Sequence, residues 1–188
     1  MPYENYWVDD RTLIVSGDFF GVSTGLGGGW KRVSYAFNHT VGEDFNFSEP
    51  YDYLRNVARS YGLKNYFGLL TSVPMDNLSV EGCGKVTAFV TAGVLNPNER
   101  IGTINIIAVF ECRLSRSAML NSIITATEAK SKALIESGHN FTGTNTDAVV
   151  ILCTQRGKYY RYAGPGSDAG KMLYRAVVES VKESLSKW

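Results

Sequence analysis

No part of this sequence leaves less freedom than SRSAMLNSIITATEAKSKALIESG, Ser115 to Gly138. Ser115 stands where a side chain caps a helix start, and Gly138 where a left-handed residue closes a helix end. Leu120, Ile123, Ile124, Thr127, Ser131 and Leu134 recur at helical spacing and form the expected inward stripe. Glu128 and Lys132 are spaced for an i,i+4 pair on its flank. Two runs rich in β-branched residues bracket this helix: GTINIIAVFECRL, from Gly102 to Leu114, and DAVVILCTQ, which opens at Asp147.

The rest of the chain repeats the alternation. NYWV, TLIVSGDFF and RVSYAFNHT read as strands, with Asp9-Asp10 as a turn between the first two and a glycine block between the others. SEPYDYLRNVARSYGL reads as a helix, with Ser48 as N-cap, Pro50 in the first turn and Gly62 at the end. Its apolar face is Leu54, Val57, Ala58 and Tyr61. Strands follow from Tyr66 to Val73 and from Lys85 to Leu95. With the Gly102 run these are close enough in sequence to suggest antiparallel neighbours. KYYRYAG reads as a strand after a turn at Arg156-Gly157. A last helix presents Met172, Ala176, Val177, Val181 and Leu185. The order β-β-β-α-β-β-β-α-β-β-α implies an α+β fold. Residues 1–188 are expected to form a single domain of mixed, mostly antiparallel sheet covered by about three helices.

Charge and cysteine usage narrow the function classes. Nineteen cations against eighteen acids leave a net charge of +1, and the nearest approach to a basic run is GKYYRYAG, so nucleic acid is not an expected partner. Cys83, Cys112 and Cys153 are odd in number and form no C-x-x-C, which argues against a disulfide framework or zinc cage and for a reducing cytoplasm. The opening MPYENYWVDDRT has neither a basic nor an apolar leader segment, and no apolar run approaches ~20 residues, so no membrane span is expected. With His39 and His139 as the only histidines, a site of three imidazoles is excluded and no metal is expected.

Four stretches carry polar groups in settings where chemistry is an alternative to packing. The block GLGGGW places Gly25, Gly27 and Gly28 beside Trp30 and Lys31. A phosphate-binding loop of either common type must run into a helix, and this one runs into a strand, which leaves a hairpin loop or a backbone approaching a ligand closely. Asn38 and His39 follow on that strand. Adjacent strand residues face opposite sides, so only one of them faces a given pocket unless the strand ends or bulges there. Asn105 stands among isoleucines, where a buried amide must bridge the fold or meet a ligand. Thr127, Glu128 and Lys130 lie in mid-helix. Thr142, Thr144, Thr146 and Asp147 put three hydroxyls and an acid at a strand mouth, as suits an oxygen-rich ligand or a self-satisfied turn.

Read together, GLGGGWKRVSYAFNHTV, TAFVTAGVLNP, GTINIIAVFECRLSRSAMLNSIITATEAKSKAL, TGTNTDAVVILC and YAGPGSDAGKMLYRAVVESV resemble the adenosylcobinamide amidohydrolases of corrinoid salvage in archaea and some bacteria. The resemblance runs from about Gly21 to Val181. It implies hydrolysis of one amide of adenosylcobinamide to give adenosylcobyric acid and aminopropanol, with the corrinoid as substrate and no separate cofactor. It makes His39, Glu128 and Asp147 the candidate proton carriers and Asn38 a candidate oxyanion donor. Gly25, Gly27, Gly28, Trp30, Asn105, Thr127, Thr142, Thr144 and Thr146 become candidate substrate contacts. A corrinoid carrier without catalysis and an amide hydrolase with another substrate remain as alternatives, and a homo-oligomer is compatible with either.

Overall fold

A computed structural model describes residues 2–42, 45–96 and 101–188. The strands are β1 (Tyr6–Val8), β2 (Thr12–Ser23), β3 (Gly29–Thr40), β4 (Tyr66–Thr71), β5 (Ser79–Cys83), β6 (Val86–Asn96), β7 (Ile101–Phe110), β8 (Arg113–Leu114), β9 (Ala148–Cys153) and β10 (Tyr159–Tyr160). The helices are α1 (Pro50–Ser60), α2 (Arg116–Glu136) and α3 (Asp168–Ser186). Eight strands make one mixed sheet in the order β4-β3-β2-β9-β7-β6-β5, with β1 also on β2, while β8 and β10 form a small parallel pair. Within the large sheet only β3 with β4 and β7 with β9 run parallel. The α+β expectation therefore holds.

The long β2–β3 hairpin sets the shape. One edge of β2 is shared: Leu13–Val15 pair with β1, and Phe20–Ser23 pair with β9. A register shift against β3 between Ser16 and Phe19 separates the two halves and bends the strand there. The sheet curls until its far parts meet, so that Asn105 on β7 donates to the carbonyl of Leu70 on β4 although three strands lie between them in the order. Inside the curl, Leu13, Phe19, Phe67, Phe89 and Ile107 form one core. α1 covers Ile14 and Phe37 with Leu54, Val57 and Ala58. α2 and α3 cover the outer face of β6, β7 and β9. Each fully buried phenylalanine or leucine in these layers contributes about 1.5–3 kcal/mol.

Several local expectations change. α2 is capped as read, since the Ser115 hydroxyl accepts from Ala118 N–H and Gly138 adopts φ +89°. Its rotation differs. Ala118, Ala126, Ala129, Ala133, Met119 and Leu134 face the sheet, whereas Leu120 and Ile124 are exposed. Alanines let the helix lie close against the tightly packed β-branched face, and the bulkier residues turn outward. Lys132 pairs with Glu136, not with Glu128. α1 begins after Glu49, so Ser48 is not its cap; the N–H of Ser48 is taken by the Asn46 side chain. β4 is not a neighbour of β6. It crosses over through α1 to pair in parallel with β3, and the strand beside β6 is the short β5, which the sequence reading left as loop. KYYRYAG yields only the two-residue β10. α3 keeps its predicted face, with Ala176, Val177 and Val181 buried and Met172 and Leu185 against the same core.

Candidate active site

A cavity of about 550 Å³ opens where six pieces of chain converge: the β2–β3 loop, the segment from β3 into α1, the end of β4, the end of β6, the start of β7 and the segment entering β9. A larger hollow of about 760 Å³ lies between β5 and α3. Its wall holds Lys182 and Glu183, which are already ion-paired to Glu136 and Lys187, so it reads as a solvated charged surface.

The glycine block is a hairpin loop that serves as cavity wall. Gly28 N–H closes a turn on the Gly25 carbonyl at 2.9 Å, and Gly27 and Gly29 take φ of +60° and +80°. A Cβ on Gly25 would stand 2.5 Å from Leu69 Cδ2, so glycine lets the loop press onto β4. Thr24, Gly25 and Leu26 line the cavity. Gly27 instead backs onto Tyr51 and Gly28 onto the Ser23 carbonyl. Trp30 stacks on Phe20 at 5.4 Å, away from the cavity wall.

Asp147 organises the opposite wall. One carboxylate oxygen accepts from Ile104 N–H at 2.9 Å and from the Thr144 hydroxyl at 2.6 Å. The other accepts from Lys130 Nζ at 2.5 Å and from Thr144 N–H at 3.0 Å. Its four acceptor sites are thus all used. The Thr146 hydroxyl donates to the Gly102 carbonyl at 2.8 Å and lies 3.0 Å from Thr103 Oγ1, while Thr144 Oγ1, whose single proton goes to Asp147, lies 2.9 Å from the same carbonyl. Thr103, Thr146 and Asp147 line the cavity; Thr144 sits behind them. The alternating threonines therefore make both of the things residue type allows, a self-satisfied turn and a polar wall.

Asn105 forms the floor, and Asn38 lies behind it without lining the cavity. Asn38 points into the curl, where its nitrogen donates to Thr91 Oγ1 at 2.8 Å. Asn105, 2% exposed, donates to Asn38 Oδ1 at 2.8 Å and to the Leu70 carbonyl at 2.9 Å. It lines the cavity, and its own carbonyl oxygen is buried without a hydrogen-bond partner. An unsatisfied buried acceptor of this kind costs about 1–3 kcal/mol.

His39 faces the other side of β3, as strand alternation requires. Its Nδ1 lies 2.8 Å from Thr12 Oγ1 and its Nε2 3.5 Å from Tyr53 OH. Thr12 Oγ1 also meets Tyr61 OH, which donates to Asp9 at 2.5 Å. Burial raises the Tyr61 phenol, and the Asp9 carboxylate raises it further. Burial alone would raise the Asp9 carboxyl, but hydrogen bonds from Tyr61, Arg11 N–H and Thr12 N–H together hold it below the ordinary value. Among the described residues, His39 reaches the cavity through Tyr53, against which the wall residue Phe45 packs edge-on at 5.1 Å.

Glu128 and Thr127 stand on the exposed face of α2, and the Thr127 hydroxyl donates to its own helix at Ile123. Thr142 is exposed and gives its carbonyl to Ser131. None of these three lines the cavity. The sequence reading did not single out Leu26, Phe45, Phe47, Ser72, Leu95 or Ile101, all of which do. Phe47 at 85% exposure and Leu95 at 60% form an apolar lip. Phe45 and Phe47 were available only as aromatics in a loop before Pro50 that no strand or helix pattern claimed, and Leu95 only as the last residue of a predicted strand. Among the described residues no three His, Cys, Asp or Glu side chains converge as metal ligands. No described helix is long and apolar enough to cross a membrane.

A family model described as adenosylcobinamide amidohydrolase matches residues 19–188. The chain is 46% identical to an adenosylcobinamide amidohydrolase of Methanosarcina mazei, over 96% of both chains. It is 29% identical to one of Halobacterium salinarum, over 87% of this chain and 79% of that one. It is 32% identical to an uncharacterized protein of Methanocaldococcus jannaschii, over 85% and 79%. With most of the chain covered by both kinds of match, the protein belongs to the adenosylcobinamide amidohydrolase family.

Proposed function

We propose that the protein hydrolyses the amide joining aminopropanol to adenosylcobinamide, releasing adenosylcobyric acid and aminopropanol in corrinoid salvage. The observation that carries this reading is the composition of the cavity wall. Hydroxyls of Thr24, Ser72, Thr103 and Thr146 and the amide of Asn105 are set among apolar side chains, with no lysine or arginine among the described lining residues. The arms of a corrinoid are mostly neutral amides, which such a wall suits better than a basic one would. A cavity of about 550 Å³ is sized for a drug-like ligand. A corrinoid is larger, so one arm enters and the ring rests on the apolar lip of Leu26, Phe47, Leu95 and Ile101.

Amide hydrolysis adds water across the C–N bond, builds negative charge on the carbonyl oxygen and sends a proton to the departing nitrogen. The wall hydroxyls of Thr24 and Ser72 supply donors for the developing oxyanion. The Asp147 carboxylate, fixed at the wall by Ile104 N–H, Thr144 and Lys130, stabilises aminopropanol as it leaves in its ammonium form. His39 acts as a positioning residue that braces the Phe45 wall through Tyr53. The corrinoid is the substrate, and no cofactor of the protein's own enters these steps. Three unpaired thiols support a cytoplasmic setting.

The test is turnover of adenosylcobinamide, with products resolved by mass spectrometry. Adenosylcobyric acid is the expected product, and it falls sharply in Asp147→Asn. A thermal shift with the corrinoid but no product refutes catalysis in favour of a corrinoid-binding protein. No response of either kind refutes both readings.

A further inference from the structure

The unpartnered oxygen of Asn105 has a fixed identity, which the network behind it dictates. The Leu70 carbonyl can only accept, so the side-chain atom of Asn105 that faces it at 2.9 Å is nitrogen. The second N–H of that nitrogen meets Asn38, whose facing atom must then be its oxygen. That turns the Asn38 nitrogen to Thr91 Oγ1, which accepts. Flipping Asn105 would set two carbonyl oxygens against each other, and flipping Asn38 would oppose two amide nitrogens. The backbone of β4 thereby forces an acceptor, not a donor, to be the unmatched atom of this cavity-lining residue.

We infer that the Asn105 carboxamide oxygen is a specificity determinant that accepts the N–H of the scissile amide. This rests on the amidohydrolase reading of the same cavity. An acceptor without a protein partner, on a residue that is 2% exposed and lines a cavity, is matched by a donor that the ligand brings. The neighbouring wall does not supply one: Thr103 and Thr146 bond each other and the Gly102 carbonyl, and the Asp147 oxygens are acceptors. The floor therefore selects an amide with an N–H. It also disfavours the product acid, which has lost that N–H and gained a negative charge facing two acceptors. Discrimination and product release follow from one orientation.

The experiment compares adenosylcobinamide with the ester analogue in which oxygen replaces the N–H of the aminopropanol linkage. Binding is read before turnover by rapid-mixing quenching of tryptophan fluorescence, and product is scored in the same samples. In the wild type the ester is expected to bind at least about tenfold more weakly, the loss for leaving a buried acceptor without its donor. In Asn105→Ala the two ligands are expected to bind alike. A wild-type ratio near one, or a ratio unchanged in a folded Asn105→Ala, overturns the inference. The wild-type pair decides the matter if the variant does not fold. Product formation with a ratio of one sinks the inference and leaves the amidohydrolase standing. Clear discrimination without product sinks the amidohydrolase and leaves the selective floor.

Discussion

The Lys130–Asp147 pair gives an asymmetric prediction. Its side chains are 8% and 12% exposed, so the interaction is made largely out of water. Lys130→Met removes the ammonium but leaves the carboxylate with Ile104 N–H, Thr144 N–H and the Thr144 hydroxyl. The loss is then one charge-assisted hydrogen bond, about 1.5–3 kcal/mol. Asp147→Asn is worse. Its amide nitrogen must replace one oxygen, and either orientation sets it against a backbone N–H, that of Ile104 or that of Thr144. The buried Lys130 ammonium also loses its counter-charge. Breaking a buried pair from that side costs about 3–5 kcal/mol. For a chain of this length each kcal/mol moves the melting point by about 2–4 °C. Melting followed by circular dichroism should fall by about 10 °C in Asp147→Asn and by roughly half as much in Lys130→Met. The double variant should lose less than the sum of the two. Equal losses, or a larger one in Lys130→Met, would mean that Asp147 is not the hub of the loop and that the wall is held by other contacts.

Four further outcomes are expected. His39→Ala should lower stability by about 1–3 kcal/mol through its broken contacts to Thr12 and Tyr53, with kcat falling less than about tenfold; a thousandfold loss at unchanged melting point would make it catalytic. Gly28→Ala places a Cβ on the Ser23 carbonyl and 2.8 Å from the Gly25 carbonyl, so the loop must open and KM should rise more than kcat falls in steady-state kinetics. Iodoacetamide should label the half-buried Cys83 in the native protein and all three thiols only after unfolding, as mapped by mass spectrometry. The Cys112 thiol is raised by the hydrogen bond it shares with Cys153 and by burial, which keeps it protonated. Because the Asp9 carboxyl titrates lower in the folded protein than in the unfolded chain, its contribution is full above the unfolded value and lost as pH falls through the folded one. Asp9→Asn should therefore flatten the acid limb of a stability–pH curve.

Where a pattern depends only on neighbours along the chain, the sequence was readable. The caps of α2, the apolar face of α3 and the hairpin character of β2 and β3 all follow from local spacing and turn chemistry. The rotation of α2 was not readable, because size decided it and not hydrophobicity. A helix with alanines at 118, 126, 129 and 133 and isoleucine or leucine at 120 and 124 has apolar residues on most sides. Which side turns inward depends on how closely the partner sheet allows the helix to approach, and that sheet is assembled from β6, β7 and β9, far apart in sequence. β4 misled for a related reason. Short separation from β6 suggested pairing, yet Tyr35 to Thr40 on β3 offered an open edge that α1 could reach by a crossover.

The candidate site shows the same divide between residue type and placement. Asn38, Asn105 and Asp147 were singled out because polar groups in strand-like runs need partners, and each is now seen with the partners that define its role. Residue type did not reveal that Asp147 is saturated while Asn105 is not, since both facts depend on contacts closing over tens of residues. Histidine and glutamate drew notice as habitual proton carriers, but strand alternation sends His39 to the α1 side and helix rotation sends Glu128 to solvent. The lip of Leu26, Phe47, Leu95 and Ile101 was invisible because each is an isolated apolar residue in its own stretch, and only the curl of the sheet gathers them. A catalytic group read from composition thus has to survive a question of direction. Here the side chains that survive it are hydroxyls and an amide, fixed by backbone carbonyls, beside one carboxylate held by N–H groups and Lys130, and that chemistry suits an amide-bearing ligand.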